Sequence, residues 1–232
     1  MLQVNNIICL VLIVLSINTS YGAVDVKIKY LEGEFTKEEK DLIQKASEMT
    51  FSRLIKAHIA NCLYREAYRP VQIVKGRRGK RIRKTHSKDQ LRKAWSYEVA
   101  FLNKFKKFSL NIRKKDLKGR RLGQAKLGIA RIDRKNYQLL DLEITLDIAK
   151  IKAYKREASK KDDLDIWVNT IAHEIAHNLG YSHTSGHSWE EDYPGFVPTE
   201  VGFCVMTDGR YGSHLGDRGK MRQRMKKNKK RL

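Results

Sequence analysis

Residues 165–183 read DIWVNTIAHEIAHNLGYSH, and this stretch carries the strongest local signal in the chain. It predicts a helix over residues 165–179, because Gly180 can take the positive φ with which a chain commonly leaves a helix. His173 and His177 are four residues apart, so on that helix they project from one face, about one turn from each other. The stretch therefore predicts a helix that ends at a glycine and presents two imidazoles side by side.

A third histidine completes a candidate metal site. His183 follows the glycine by three residues, so the chain can return another imidazole to the pair on the helix. Imidazoles can hold one Zn²⁺ through ring nitrogens at about 2.0–2.1 Å, and three protein ligands leave a position open for water, as in catalytic sites. Glu174 can reach such a water as general base without becoming a ligand. We expect one catalytic Zn²⁺ bound by His173, His177 and His183.

The pattern HExxHxxGxxH over His173–His183, with Met206 downstream, resembles the metzincin clan of zinc metalloproteases. The resemblance implies a turn that contains Met206 and lies beneath the three histidines. It also implies an α+β fold of the zincin type, in which a mixed twisted sheet, a long backing helix and the active-site helix precede a small irregular C-terminal subdomain. The implied activity is hydrolysis of peptide bonds in a protein or peptide substrate, by a zinc-bound water that Glu174 activates.

Within the clan the chain looks most like the matrixins, with three departures. Thr184 follows the third histidine, where several branches have a different characteristic residue. The chain contains no PRCG-type cysteine-switch segment. Tyr211 lies five residues after Met206 rather than two, which argues against an astacin-type tyrosine ligand. The resemblance therefore reaches the clan and leaves the subfamily open.

The first residues predict export. Ile7–Leu15 is an uninterrupted apolar run, and Ser20 and Gly22 are small residues at the minus-three and minus-one places for a cut before Ala23. This pattern is typical of a secretory signal peptide over residues 1–22. We therefore expect a secreted protein, extracellular or, in a bacterium, periplasmic. No apolar stretch reaches the length of about 18 residues that would predict a transmembrane span.

The remaining chain divides into one catalytic domain and a tail. The resemblance implies a metzincin-like domain over residues 23–216. Its N-terminal subdomain would cover residues 23–180, and its C-terminal subdomain, with the methionine turn, residues 181–216. Residues 217–232 form a basic tail.

Apolar patterns predict the elements that precede the motif. Thr36 and Glu39 form an expected capping box at the start of a long helix that runs to about Ala67. An edge strand near Leu127–Ile132 would line the cleft and align an extended substrate by strand addition. The other predicted segments are strands at Val24–Tyr30, Val71–Lys75, Lys126–Ile132 and Leu140–Ile148, and an exposed loop at Gly76–Lys88.

The charge balance supports a second interpretation. Lys and Arg total 48 against 26 Asp and Glu, a net charge of +22. Residues 75–121 hold 19 basic and 3 acidic residues, a net +16, and residues 216–232 hold 9 and 1, a net +8. A surface this positive predicts contact with an anionic polymer, either glycosaminoglycan or nucleic acid, or with an anionic cell surface. The alternative function is therefore an exported basic binding protein with an inactive or incidental zinc site.

Acidic residues surround the motif. Residues 162–208 contain nine acids and no Lys or Arg, which predicts a preference for basic substrates. Asp162, Asp163 and Asp165 could bind Ca²⁺, but acids that favour the dipole at a helix N-terminus explain them more simply.

Export also bears on the cysteines. Cys9 lies in the predicted signal peptide, which leaves Cys62 and Cys204 as an even pair in an oxidising compartment. They can form one disulfide that closes a long loop, or remain two buried thiols. The sequence leaves both alternatives open.

Overall fold

The structure is a computed structural model. It describes residues 25–66, 71–75, 81–85, 87, 89, 90, 92, 93, 95, 102, 104, 105, 107–119, 121–128, 131, 132, 139–157, 163–183 and 196–210. The predicted signal peptide and basic tail lie outside these residues. No helix within the described ranges is both long enough and apolar enough to cross a membrane.

Among the described elements, one strand and two helices precede a run of six strands, and three helices follow. The strands are β1 (Asp25–Glu32), β2 (Val71–Lys75), β3 (Arg81–Thr85), β4 (Lys107–Lys114), β5 (Gly123–Ala125), β6 (Arg131–Ile132) and β7 (Leu139–Leu146). The helices with described bounds are α1 (Lys37–Leu54), α2 (Ala57–Glu66), α3 (Ile148–Glu157), α4 (Asp163–Asn178) and α5 (Val197–Met206).

The main sheet is mixed. Its strand order is β1-β4-β7-β5, with β6 also pairing with β7. β1, β4 and β7 are parallel, whereas β5 and β6 run antiparallel to β7 along one edge. β2 and β3 form a separate antiparallel hairpin. The predicted α+β class with a mixed sheet is confirmed at this level.

One face of the sheet carries the core. Period-2 alternation buries every second residue of β7 and directs these side chains toward the helices. Phe51 of α1 stacks on Phe108 of β4 with ring centroids 4.4 Å apart. Helix α1 packs against β1 and α4, and α4 packs against β5, β7 and α5. The helix that carries the motif therefore lies at the centre of the structure, between the sheet and α5.

The capping box at the start of α1 is confirmed. The Glu39 backbone N–H donates to Thr36 Oγ1 at 3.2 Å, and the Thr36 N–H donates to Glu39 Oε2 at 3.1 Å. Lys114 and Lys152 place their ammonium groups 3.0 and 2.6 Å from the same buried carboxylate. One residue thus caps the helix and ties it to β4 and α3.

The prediction of one long helix to about Ala67 was wrong, because the chain forms α1 and α2 with a break between them. At the break the Lys56 N–H bonds to the Arg53 carbonyl three residues back, at 2.9 Å. The apolar pattern continues across this point without glycine or proline, so nothing local marks the break. Arg53 instead donates from Nη1 to the carbonyls of Val205 and Met206 at the end of α5, at 2.9 and 2.7 Å.

Three further predictions need correction. Residues 76–88 are not all loop, because β3 lies within them and pairs with β2. Of the strand predicted at Lys126–Ile132, only Arg131–Ile132 is found as a strand, β6. Residues 127 and 128 form a turn, and β5 lies just before the predicted range. The strand predicted at Leu140–Ile148 ends at Leu146, because Asp147 caps α3 by accepting the Lys150 backbone N–H at 3.0 Å.

The two cysteines are bonded. Cys62 of α2 and Cys204 of α5 form a disulfide with Cα atoms 5.9 Å apart, and both residues are fully buried. The bond joins positions 142 residues apart, and closing a loop of that length contributes about 5 kcal/mol in the chain-entropy model. It fastens α5 to α2.

Candidate metal centre

The structure brings the three predicted histidines together. One ring nitrogen from each of His173, His177 and His183 lies within 4.8 Å of the other two. The ring centroids are 4.7 to 4.9 Å apart. Because ligands of one tetrahedral zinc lie about 2 Å from the ion, their donor atoms must converge to such separations. The trio can hold a metal ion, and its nitrogen donors suit zinc among other divalent metals.

The end of α4 places the third histidine. Gly180 has φ of 99°, and its N–H bonds to the His177 carbonyl at 2.9 Å. The Tyr181 N–H bonds to the Ala176 carbonyl at 3.1 Å. These two hydrogen bonds form a Schellman motif, which reverses the chain at the helix end. The predicted stop at Gly180 is confirmed, and the reversal returns His183 to the two histidines of the helix.

Backbone carbonyls orient two of the rings. His177 Nδ1 lies 2.7 Å from the Tyr181 carbonyl oxygen. A carbonyl only accepts, so Nδ1 carries the proton and Nε2 keeps its lone pair for a metal. His173 has a hydrogen bond to the backbone of Pro198, and proline has no N–H, so this ring also donates to a carbonyl. Helix α5 therefore orients the first histidine.

Burial keeps the imidazoles neutral. The pKa of His173 is well below its usual value because of burial and the neighbouring His177 and His183, against the hydrogen bond to Pro198. Burial likewise lowers the pKa of His177, against the hydrogen bond to Tyr181. Burial and then the charge of His177 lower the pKa of His183 to about 3. Three imidazoles that resist protonation offer lone pairs at neutral pH, as metal binding requires.

Glu174 is a buried carboxyl beside the histidines. Its side chain is 4% exposed, and its Oε2 has no hydrogen-bond partner among the described residues. Burial raises the pKa of Glu174 to about 8, and the charge of Arg121 acts in the opposite direction. A carboxyl with a proton affinity near neutrality is suited to exchange protons at neutral pH. An orphaned buried oxygen beside three neutral imidazoles fits a site built for a cation and a polar ligand.

The edge strand β5 lies against this carboxyl. A Cβ atom on Gly123 would come within 2.8 Å of both Glu174 Cγ and Glu174 Oε1, and within 3.0 Å of Thr170 Cγ2. Such contacts are far closer than carbon atoms tolerate. Only glycine lets the strand approach so closely.

Two backbone contacts fix α4 against the sheet edge. The Asn178 carboxamide accepts from the Glu143 N–H and donates to the Glu143 carbonyl, both at 2.9 Å, in the manner of a neighbouring strand. Its Nδ2 also lies 3.1 Å from the Glu174 carbonyl. In addition, the Gly128 N–H donates to the His177 carbonyl at 3.0 Å. The histidines and Glu174 are thus held in register with β7 and its edge.

Met206 is the last residue of α5, eight residues beyond Pro198. Its carbonyl accepts from Arg53 Nη1 at 2.7 Å. At a rise of about 1.5 Å per residue, it lies about 12 Å along the helix from Pro198. Its place beneath the three histidines, which the resemblance implies, stays a prediction.

Among the residues that the structure describes, no other candidate ligand joins the site. Asp163 and Asp165 lie in the first turns of α4, where acids favour the helix dipole, while Asp162 lies outside the described residues. The histidine trio is the only group within the described ranges whose donor atoms converge on a metal-sized space. The predicted Ca²⁺ site therefore gains no support.

Sequence reasoning missed four residues of the site: Arg121, Gly123, Asn178 and Pro198. Gly123 had a signal, since a glycine next to a strand often marks a close backbone approach. Asn178 is four residues after Glu174 and so shares its helix face. No sequence signal marked Pro198, because it meets His173 only through the packing of α5 on α4.

Comparison of the chain with protein-family models, with curated proteins and with solved structures finds no match. The functional argument therefore rests on the residues of the site.

Proposed function

We propose that this protein is a secreted zinc-dependent endopeptidase of the metzincin type. One observation carries the proposal: three imidazoles converge within 4.8 Å of one another, and the residue next to His173 in the chain, Glu174, has a buried carboxyl with an orphaned oxygen. A structural zinc site would close its coordination with a fourth protein ligand. Three ligands with an acid–base group alongside favour hydrolysis instead.

His173, His177 and His183 would hold the ion. A bound zinc supplies a water of lowered pKa and polarises the carbonyl of the bond to be cleaved. Glu174 takes the proton of the attacking water on its carboxylate and later gives it to the leaving amine. Burial excludes bulk water from this carboxyl, so the proton stays available for the amine.

The edge strand β5 would align the substrate. It pairs with β7 on one side and is the last strand in the described sheet order, so its other side can take an extended peptide by strand addition. Gly123 lies against Glu174 on this strand. A peptide paired with β5 would therefore pass directly beside the proton-transfer group.

Support for the metzincin type comes from the spacing of the motif and from the mixed sheet with an antiparallel edge strand. Met206 is not among these supports, because it lies at the far end of α5. Secretion is supported by the apolar leader and by the disulfide, which oxidising compartments favour.

The test is zinc binding and peptide cleavage by the purified chain and two variants. We expect one zinc per chain in the wild type, in Glu174→Gln and in the control Glu48→Gln, whose side chain is exposed on α1. Cleavage of a mixed peptide panel should fall by about 1,000-fold in Glu174→Gln only, and a chelator should abolish it in all. A chain without zinc, or a Glu174→Gln variant that cleaves at the wild-type rate, would sink the proposal.

A second pair of variants tests the ligands. His177→Ala should lose both zinc and cleavage, whereas His58→Ala should keep both, since His58 lies beside Asp208 at the far end of α5. Equal zinc content in the two variants would show that the trio is not the metal site.

A second candidate function is anionic-polymer binding through the basic middle segment. The β2–β3 hairpin supports it, because its register sets Lys75 opposite Arg81 and places Arg83 and Lys84 further along the same short strand. These four basic residues lie within one short hairpin of the basic middle segment. The test is retention on heparin by the wild type and by a variant in which these four residues are neutralised. Loss of the salt-dependent retention in the variant would support this function. Elution of both proteins at the same salt concentration would count against it.

A further inference from the structure

Two cations flank the place where the edge strand touches Glu174. Arg121 is two residues before Gly123, and Lys126 is three residues after it. At about 3.4 Å per residue, their backbones lie about 7 Å and about 10 Å from the contact, on opposite sides. Arg121 is exposed, and the Lys126 side chain is 73% exposed. Both charges are therefore open to water along the edge strand, with Lys126 on the face of the sheet that carries Glu143.

These charges are weakly compensated. Arg121 takes part in no ion pair within the described residues, although its charge acts on Glu174. Lys126 lies 3.9 Å from Glu143, a carboxylate that Arg113 already pairs with at 3.0 Å. An exposed pair at that distance removes little of the lysine charge.

The loop that leads into β5 adds no compensating charge. It carries one exposed acid, Asp116, and two exposed cations, Lys115 and Lys118, of which Lys115 pairs with Glu32 at 2.9 Å. The rim along the edge strand therefore keeps a net positive charge from Arg121 and Lys126.

The acidic run that predicts a preference for basic substrates lies mostly elsewhere. Glu200 is fully buried in α5. Asp208 lies beyond the end of α5, where it is bound by Lys56 and His58. The acids at 162 and 190–192 lie outside the described residues. Of the described acids of this run, Glu200 is therefore enclosed in the fold and Asp208 is already held by cations.

We infer that the substrates of this site carry acidic side chains within about three residues of the cleaved bond, and that Arg121 and Lys126 select them. The inference rests on the proposed function and names its substrate class. A peptide paired with β5 advances at about 3.4 Å per residue, so the two cations span about five of its residues, centred on the contact with Glu174. An acidic side chain of the substrate within this span is attracted by Arg121 or Lys126, and a lysine in the same place is repelled.

The expected selectivity is moderate. Unit charges about 7 Å apart in water change an equilibrium by about threefold. Exchanging an acid for a lysine reverses the sign, so the ratio of kcat/KM between matched peptides should be about tenfold at low salt. It should shrink toward one at about 1 M salt, where the screening length falls to about 3 Å.

The experiment uses one cleaved peptide in three versions, with Glu, Gln or Lys on both sides of the cleaved bond. We expect the order Glu, then Gln, then Lys in kcat/KM. The double variant Arg121→Glu with Lys126→Glu should invert that order. A double variant of equal charge change, Lys104→Glu with Lys107→Glu, should keep it, because Lys107 pairs with Leu139 at the opposite end of β7 from β5.

A binding assay separates this inference from the proposed function. The zinc-loaded Glu174→Gln variant, titrated with fluorescent Glu and Lys peptides, reports selectivity without turnover. Tighter binding of the Glu peptide, lost when Arg121 and Lys126 are reversed, supports the inference even if the wild type cleaves nothing. Equal binding, or tighter binding of the Lys peptide, overturns it even if the wild type is an active peptidase.

Discussion

Helix α5 joins two regions that use polar groups in opposite ways. At its start, the Pro198 carbonyl orients His173, and three imidazoles meet a buried carboxyl with an orphaned oxygen. At its end, Arg53 binds the last two carbonyls, and His58 and Lys56 bind Asp208. The far end satisfies its polar groups within the chain. The end near the histidines leaves Glu174 Oε2 without a partner among the described residues, and an unpaired buried oxygen is more typical of a ligand site than of a structural contact.

Helices α4 and α5 end in the same backbone motif, although the residues that follow them differ in role. α4 ends in a Schellman motif at Gly180, and α5 ends in another at Asp208, where the Gly209 N–H bonds to the Cys204 carbonyl at 2.7 Å. Asp208 has φ of 50°, which a side chain other than glycine rarely adopts. Aspartate tolerates it, and here its carboxylate is also held by cations. The reversal after α4 positions His183, and the reversal after α5 anchors the end of that helix.

The largest expected effect comes from the disulfide at the structural end. Replacing both Cys62 and Cys204 by Ala should lower the free energy of unfolding by about 5 kcal/mol, because the long loop in the unfolded chain is no longer closed. Urea denaturation measures this. Zinc content of the folded variant should stay at the wild-type value, since the histidines meet α5 at its other end.

A reducing agent provides the control for the disulfide. It should lower the stability of the wild type by a similar amount and leave the double variant unchanged. Loss of zinc without loss of stability would show that the two ends of α5 are not separable in this way.

The next effect belongs to the metal end. Gly123→Ala should lower kcat/KM by about 100-fold, equivalent to about 2.7 kcal/mol, because the new Cβ would displace Glu174 from its position. Zinc content and melting temperature should stay close to wild type. Gln124→Ala, on the exposed side of the same strand, is the matched control. Unchanged turnover in Gly123→Ala would mean that Glu174 needs no contact with the edge strand.

Asp147 is a buried carboxylate that anchors the loop preceding β5. It accepts from the Leu117 N–H at 2.9 Å and from Lys150 Nζ at 2.7 Å. Asp147→Asn should lower the free energy of unfolding by about 2 kcal/mol at neutral pH, the contribution of hydrogen bonds to a charged group. Asp116→Asn, in the same loop but exposed, should change it by less than about 0.5 kcal/mol.

The pH dependence of stability tests the same carboxylate. Burial raises the pKa of Asp147, but hydrogen bonds from Lys150 and from the Leu117 and Lys150 backbone outweigh it, and the net pKa is lowered. Its stabilisation is therefore present above the unfolded pKa of about 3.9 and is lost as the pH falls through the lower folded pKa. Below pH of about 4, wild-type and Asp147→Asn stabilities should converge. A constant difference down to acid pH would contradict this role.

The smallest expected effect is at the end of α5. Asp208→Asn keeps a residue that tolerates positive φ and removes only the charge facing Lys56 and His58. It should lower the free energy of unfolding by about 1 kcal/mol, as expected for a partly exposed charge cluster. Asp208→Ala should cost about 1 to 2 kcal/mol more, because alanine pays the backbone strain as well. Equal losses in the two variants would show that the positive φ contributes nothing.

The convergence of the three histidines could be predicted because they are close in sequence. Helical spacing places His173 beside His177, and one glycine turn returns His183. No distant residue is needed to bring the three rings together. The same holds for the capping box at Thr36 and for the hairpin strand β2, whose signals lie within a few residues.

Other elements were missed because their signals were masked by composition or were not local. β4 alternates Phe108, Leu110 and Ile112 with polar residues, but it lies in the basic block, where the charge drew the interpretation toward an exposed surface. α5 is short, has no side-chain hydrogen bond at its N-cap, and is tied down by Arg53 and Cys62. The break between α1 and α2 depends on the same distant contacts.

The sequence by itself determined the histidine trio, the neighbouring glutamate and the helix that presents them, because these depend on backbone periodicity over one short segment. Only the tertiary structure decided which side of that segment faces the edge strand, which cations flank it, which carbonyls orient the rings and where Met206 lies. Those features depend on the packing of α5 and β5 against α4. Packing brings together residues that are distant in the chain, and no local pattern records such a contact.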